Sequence, residues 1–183
     1  LGHLNSSPDV DGGIRSEPLV IQYFDSFYPS LSLMIAARSL NLGPADIRVR
    51  LGEEVQLGKL RIATDSATRM NSFFYKSVEG RPAFQLDSFY DVLSGKIPAS
   101  KYAGKIVLIG ATAAGVGAPQ VTPVSPSMPP VLTLAHTVSS ILQEHFFVTP
   151  TWGAWASLGV LLLIGLYLIL LLPRLRAGLG AIA

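Results

Sequence analysis

The 183-residue sequence contains no cysteine, so no disulfide braces it and no thiolate can hold a metal. That permits an oxidising compartment without proving one. An excess of one charge is also missing. Of the 14 Lys and Arg, two are Arg174 and Arg176, which leaves 12 in residues 1 to 150 against 12 Asp and Glu. The basic pI comes from two arginines beside an apolar run, which is not a nucleic-acid footprint, and no nucleic-acid partner is expected.

Chemistry-bearing motifs are missing as well. No G-x-G-x-x-G occurs, and in Gly110-Ala-Thr-Ala-Ala-Gly115-Val-Gly117 the Lys and Ser or Thr of a P-loop are replaced by Val116 and Gly117. No Ser sits in a nucleophile elbow, and His3, His136 and His145 lack metal-ligand spacing. No catalytic residue, metal site or cofactor is expected. Asp9-Val-Asp11-Gly12-Gly13 has alternate carboxylates like the opening of a calcium loop, but position twelve is Val20 rather than a bidentate Glu. An Asp-Gly turn is the better reading. Arg15 is placed to pair with either carboxylate, in a structural role as readily as a ligand-binding one.

What the sequence does have is one long hydrophobic run. Trp152 to Leu172 holds 21 uncharged residues, twelve of them Leu, Ile or Val. At the helical rise this reaches about 30 Å, the thickness of a bilayer's hydrocarbon core. Arg174 and Arg176 follow directly, whereas the nearest Lys or Arg before the run is Lys105, 47 residues back. The positive-inside rule puts the C-terminal flank in the cytoplasm and residues 1 to 148 outside it, with Trp152 and Trp155 at the outer interface.

Along the outer region, residues 18 to 24 read as a strand and 29 to 41 as a buried helix, opened by Pro29 and stopped at Asn41-Leu-Gly43-Pro44. Ile47, Val49 and Leu51 alternate with Arg48 and Arg50 in a half-exposed strand. Val55 to Leu57 and Leu60 to Ile62 flank Gly58-Lys59 as a type II′ hairpin. Residues 64 to 82 read as a loop with one extended piece at Phe73-Phe-Tyr75. Phe84 to Leu86 look extended, and Ser88 to Leu93 make a short helix stopped by Gly95. Lys105-Ile-Val-Leu-Ile-Gly110 has the pattern of a central parallel strand covered on both faces. A long loop over Ala111 to Pro130 follows. Then comes a helix opened by Pro129 and Pro130, with Val131, Leu134, Ala135, Val138, Ile141 and Leu142 as its apolar stripe and His136 on its flank.

In order, Pro8-Asp-Val-Asp-Gly-Gly-Ile-Arg15, Tyr28-Pro-Ser-Leu-Ser-Leu33, Phe89-Tyr-Asp-Val-Leu-Ser-Gly-Lys-Ile97, Gly104-Lys-Ile-Val-Leu-Ile-Gly-Ala-Thr112 and Val121-Thr-Pro123 carry a resemblance. Over roughly residues 5 to 148 the chain resembles the type 2 CHASE domain, the extracytoplasmic sensory domain associated with bacterial cyclases and histidine kinases. Two positions depart from the family's pattern: Ala118 stands where Asp is usual, and Pro129-Pro-Val-Leu132 where Pro-Gly-Val-Glu is usual.

The resemblance implies a signal-anchor helix before the domain, about three spans after it, and a nucleotide cyclase, histidine kinase, Ser/Thr kinase or diguanylate cyclase as output. The chain is therefore expected to be a fragment or a truncated product. The expected fold is α/β, a mixed sheet with packed helices forming one extracytoplasmic sensory domain over residues 1–148. A transmembrane helix follows at 149–173, then a cytoplasmic turn at 174–183 with the start of a second span.

Asp9, Asp11, Arg15, Thr112, Thr122 and His136 are the expected ligand contacts. The expected partners are a small extracellular ligand, the lipid bilayer of a bacterial inner membrane, and a second copy through the parent receptor. The rival reading is a membrane-anchored structural or protein-interaction module with no small-molecule ligand. A hydrolase would require a clustered nucleophile and base that the sequence does not present.

Overall fold

A computed structural model describes residues 2–78, 82–113, 116–148 and 152–171. It forms two compact units, Leu1–Val148 and Thr149–Ala183. The first is mixed α/β, with helices and several small sheets.

The expected strand at 18 to 24 is two strands. β1 (Ser16–Pro18) and β2 (Val20–Tyr23) belong to different sheets, and the fully buried Leu19 sits at the switch with its N–H donated to the Thr68 carbonyl. β2 turns back at Phe24, which adopts a left-handed φ of 51°, and pairs with β3 (Ser26–Pro29).

Pro29 therefore ends a strand and does not open the helix. Ser30 caps α1 (Leu31–Ser39), its Oγ accepting the Leu33 N–H at 3.2 Å. The stop comes earlier than the Gly43 expected from the sequence. Asn41 takes the left-handed position (φ 58°), Leu42 N–H bonds the Ala37 carbonyl at 2.8 Å and Asn41 N–H the Arg38 carbonyl at 3.1 Å, a Schellman termination.

β4 (Ile47–Arg50), β5 (Glu54–Leu57) and β6 (Leu60–Ala63) form an antiparallel meander, its second hairpin in the expected register about Gly58-Lys59. Val55, Leu57 and Ile62 point into the core, whereas Arg48, Arg50 and Arg61 face water. In the Gly58-Lys59 turn only Gly58 has positive φ, as a type II′ hairpin requires, and a Cβ there would fall 2.7 Å from Leu42 Cδ1.

Three expectations fail in the rest of the unit. The loop expected over 64 to 82 contains, just before the extended piece at Phe73 to Tyr75, a true strand, β7 (Arg69–Ser72), between β1 and a short later strand. Phe84 to Leu86 form no strand, although α2 (Phe89–Leu93) does follow the Ser88 cap. Lys105 to Gly110 is not a central parallel strand: it pairs with no strand among the described residues, and Ile106, Val107 and Ile109 are exposed, the last at 76%. An apolar alternation signals a preference for burial but supplies no neighbouring strand, and every named strand pair here is antiparallel.

The long loop at 111 to 130 likewise contains a hairpin, β8 (Gln120–Thr122) with β9 (Ser125–Met128). α3 (Pro130–Leu142) begins with Pro130 in its first turn, as its sequence indicates. It ends in a second Schellman motif, with Glu144 left-handed (φ 55°) and His145 N–H on the Ser140 carbonyl at 2.9 Å. β10 (Phe146–Phe147) then closes the β1-β7-β10 sheet.

Leu19, Leu33, Ala36, Ala37, Val55, Leu57, Ile62, Met70 and Ile141 make the core, joining α1, α3, the meander and β7. Truncating any one of the fully buried Leu or Ile side chains should cost about 2–5 kcal/mol.

The second unit is α4 (Gly153–Leu166), continued by one wider turn through Leu171. Gly153–Leu170 has a mean hydropathy of 2.2 and none of it is buried within the protein, so it is long and apolar enough to cross a membrane. Thr149 to Thr151, the flanking arginines and the expected start of a second span lie outside the described residues.

Candidate functional site

α3 carries a second stripe opposite in chemistry to its apolar one. Thr133, His136, Thr137 and Ser140 are all buried, together with Val138 and Ile141. Polar groups out of water need partners, and His136 and Ser140 find them on the chain that continues β7. Ser140 Oγ accepts the Phe73 N–H at 3.0 Å and lies 3.1 Å from the Phe73 carbonyl and 2.8 Å from that of His136. His136 Nδ1 accepts the Tyr75 N–H at 3.1 Å. Residues two apart on an extended chain repeat at nearly the spacing of residues four apart on a helix, which lets one helix face serve both N–H groups.

His136 is not on a flank, as its offset from the apolar stripe suggests, but only 3% exposed. Phe84 packs edge-on at 4.8 Å between ring centres and Tyr75 stacks at 5.8 Å. Burial lowers the imidazole pKa to about 4, so the ring is neutral at physiological pH.

Next to this seam lies a cavity of about 140 Å³ among β1, β7, β8 and the first turns of α3, whose lining includes Glu17, Ser72, Gln120, Thr133 and Thr137. Ser72 and Thr137 hydroxyls are 3.3 Å apart, and Thr137 Oγ1 donates to the Thr133 carbonyl at 3.2 Å. Glu17, on β1, accepts a hydrogen bond from Ser32 Oγ, which itself contacts the cap hydroxyl of Ser30 at 2.7 Å. Burial raises the Glu17 pKa above the usual carboxylate range despite these hydroxyl donors. Two side-chain oxygens of the lining, Thr133 Oγ1 and Gln120 Oε1, are buried without a hydrogen-bond partner among the described residues. A buried oxygen left so costs about 1–3 kcal/mol unless water or ligand serves it.

The family model of the CHASE2 domain matches residues 1–170. The chain belongs to the CHASE2 family. CHASE2 domains are extracytoplasmic sensory domains of receptors, so the chain is a sensory domain followed by a helix apolar enough for a membrane. No curated protein and no solved structure matches it.

In this CHASE2 domain the expected ligand contacts fall in several places. Asp9, Asp11 and Arg15 come together on the surface: Arg15 Nη1 and Nη2 reach Asp9 and Asp11 at 2.7 Å each, and Gly13 N–H bonds Asp11 Oδ1 at 3.0 Å. That is the Asp-Gly turn, with Gly12 at φ 79°. Arg15 and that Gly13 bond together hold the Asp11 carboxyl far below the usual carboxylate range. The cluster neighbours β8, because Ile14 N–H bonds the Val121 carbonyl at 2.7 Å. Thr122 is buried beside it, donating to the Ser125 carbonyl at 3.1 Å inside its own hairpin. Thr112 is exposed and lines another recess, of about 270 Å³, with Ser127 and several Ala, Gly and Pro residues.

Glu17, Gln120 and Thr133 were not singled out by sequence. One signal for them exists in α3, where Thr133, Thr137 and Ser140 recur at helical spacing as a hydroxyl stripe beside the apolar one. Glu17 had none, being a lone acid in a three-residue strand.

Proposed function

We propose that this chain is the ligand-sensing input domain of a bacterial transmembrane receptor, lying outside the inner membrane and acting on a cytoplasmic output module. A nucleotide cyclase, a histidine kinase or a Ser/Thr kinase is the output that fits the family best. One observation carries the reading: the cavity beside α3, with its carboxyl and two unpartnered oxygens, is a place where a small molecule gains hydrogen bonds that the protein leaves unmade.

Ligand bound to one of two conformations shifts their populations. α3 supplies part of the cavity lining and lies ten residues before α4 in sequence, so a change in its seating has a short covalent route to the span. Pairing of two such chains through the parent receptor would give the output module its dimeric form. The acid-arginine cluster at Asp9, Asp11 and Arg15, with Thr112, Thr122 and His136, makes up the wider set of residues whose substitution is expected to alter the response.

The test is a joint insertion in the complete receptor. Two or three glycines placed between Val148 and Pro150 are expected to abolish ligand-dependent output while the melting temperature of the domain stays unchanged. Output that survives the insertion overturns the reading.

A further inference from the structure

We infer that the 140 Å³ cavity of the CHASE2 domain binds a small organic ammonium ion, with its charged end held by the Glu17 carboxylate, Gln120 Oε1 and Thr133 Oγ1. This rests on the sensor reading and names the ligand class for it. The argument begins with charge. Among the described residues no Lys, Arg or His lines the cavity and no ion pair involves Glu17. Among the described residues its carboxyl meets only hydroxyls, those of Ser32, Ser30 and Thr137. A buried acid without a counter-ion is complementary to a cation that arrives from outside.

Hydrogen bonding narrows the class further. Gln120 Oε1 accepts only, and Thr133, 8% exposed, has an oxygen with no partner among the described residues. An ammonium offers three donors, which suits a lining that holds a carboxylate, an amide oxygen and a hydroxyl. An anion or a carbonyl compound would leave the acceptors unserved.

Size and the remaining walls complete the description. A cavity of about 150 Å³ holds a molecule of roughly six heavy atoms, the volume of benzene. Ile14, Phe74 and Leu134 supply an apolar wall, so the carbon chain of a short alkylamine has a place to lie.

The proposal is tested on the full chain in phosphatidylcholine nanodiscs at pH 7.5, by calorimetric titration with n-butylamine, n-butanol and butyrate. Butylammonium is expected to bind saturably at one site per chain, with butanol and butyrate at least tenfold weaker. At a hundredfold excess over its Kd it should raise the melting temperature by about 5 °C or more. The near-isosteric Glu17→Gln is expected to weaken butylammonium by about thirtyfold or more, since it removes the charged partner. Gln120→Leu, which leaves β1 intact, should weaken it severalfold.

Absence of saturable amine binding, equal binding of butanol, or undiminished binding to Glu17→Gln overturns the proposal. A different molecule that binds and acts through the Val148 joint would keep the sensor reading and remove this ligand class. Amine binding with no change in receptor output would keep the site and remove the sensor reading.

Discussion

The Tyr75 N–H and the His136 imidazole are joined by a 3.1 Å hydrogen bond to Nδ1, which assigns the proton of the neutral ring to Nε2. Protonating the ring would put a donor where an acceptor is needed. An unfolded histidine titrates near 6.5 and this one, depressed by burial, at about 4. Between those values the unfolded chain takes up a proton that the folded chain refuses, so stability falls as pH drops from 6.5 to 4 and is level above 6.5. The full effect is on the order of 3 kcal/mol. Denaturant titrations across pH 4 to 8 should show this loss in the wild type, and His136→Asn, which keeps an acceptor but no titrating ring, should flatten it.

Glu17 has the opposite sign. Its carboxyl, raised by burial, is favoured by folding while protonated, so its contribution is present at low pH and is lost as pH rises through the elevated pKa. Glu17→Gln removes that dependence. Its melting temperature is expected to exceed the wild type's at pH 8 in the absence of ligand, and the difference should vanish near pH 4.

Ser140 bridges to both polar backbone groups of Phe73. Ser140→Ala leaves the Phe73 N–H without its acceptor and should cost about 1–3 kcal/mol. For a chain of this size that is a melting-point loss of roughly 2–4 °C per kcal/mol, measurable by circular dichroism. Exchange of the Phe73 amide proton should accelerate with it.

Glu144 occupies a left-handed position (φ 55°) just beyond the carboxyl end of α3. Both the conformation and the negative charge there are unfavourable. Glu144→Gly is expected to stabilise the domain by about 0.5–1 kcal/mol. A lower denaturation midpoint would show that the side chain makes a contact that outweighs the backbone cost.

Elements whose boundaries are written in local chemistry could be read from the sequence. The Gly58-Lys59 hairpin, the Ser88 cap and the Pro130 opening of α3 stand where their residues put them. Long-range pairing could not be read. β7 lies between Ser16–Pro18 and Phe146–Phe147, segments more than fifty residues away on one side and seventy on the other, and nothing in Arg69-Met-Asn-Ser72 announces them. The left-handed residues beyond the helix ends, Asn41 and Glu144, could not be read because glycine is the usual occupant of that conformation. The polar seam was missed for a related reason: a helix is read by its apolar stripe, and here much of the packing is on the hydroxyl side.

That seam constrains how α3 can move. An oily contact resists sliding weakly because dispersion has little directional preference, whereas hydrogen bonds weaken steeply once misaligned. With Ser140 and His136 engaged on Phe73 and Tyr75 together, a small rotation or translation of the helix unmakes both bonds at once. α3 is therefore keyed into one seat and cannot drift by degrees. Any displacement of it is a discrete step, the kind of motion that gives a two-valued output from a graded input.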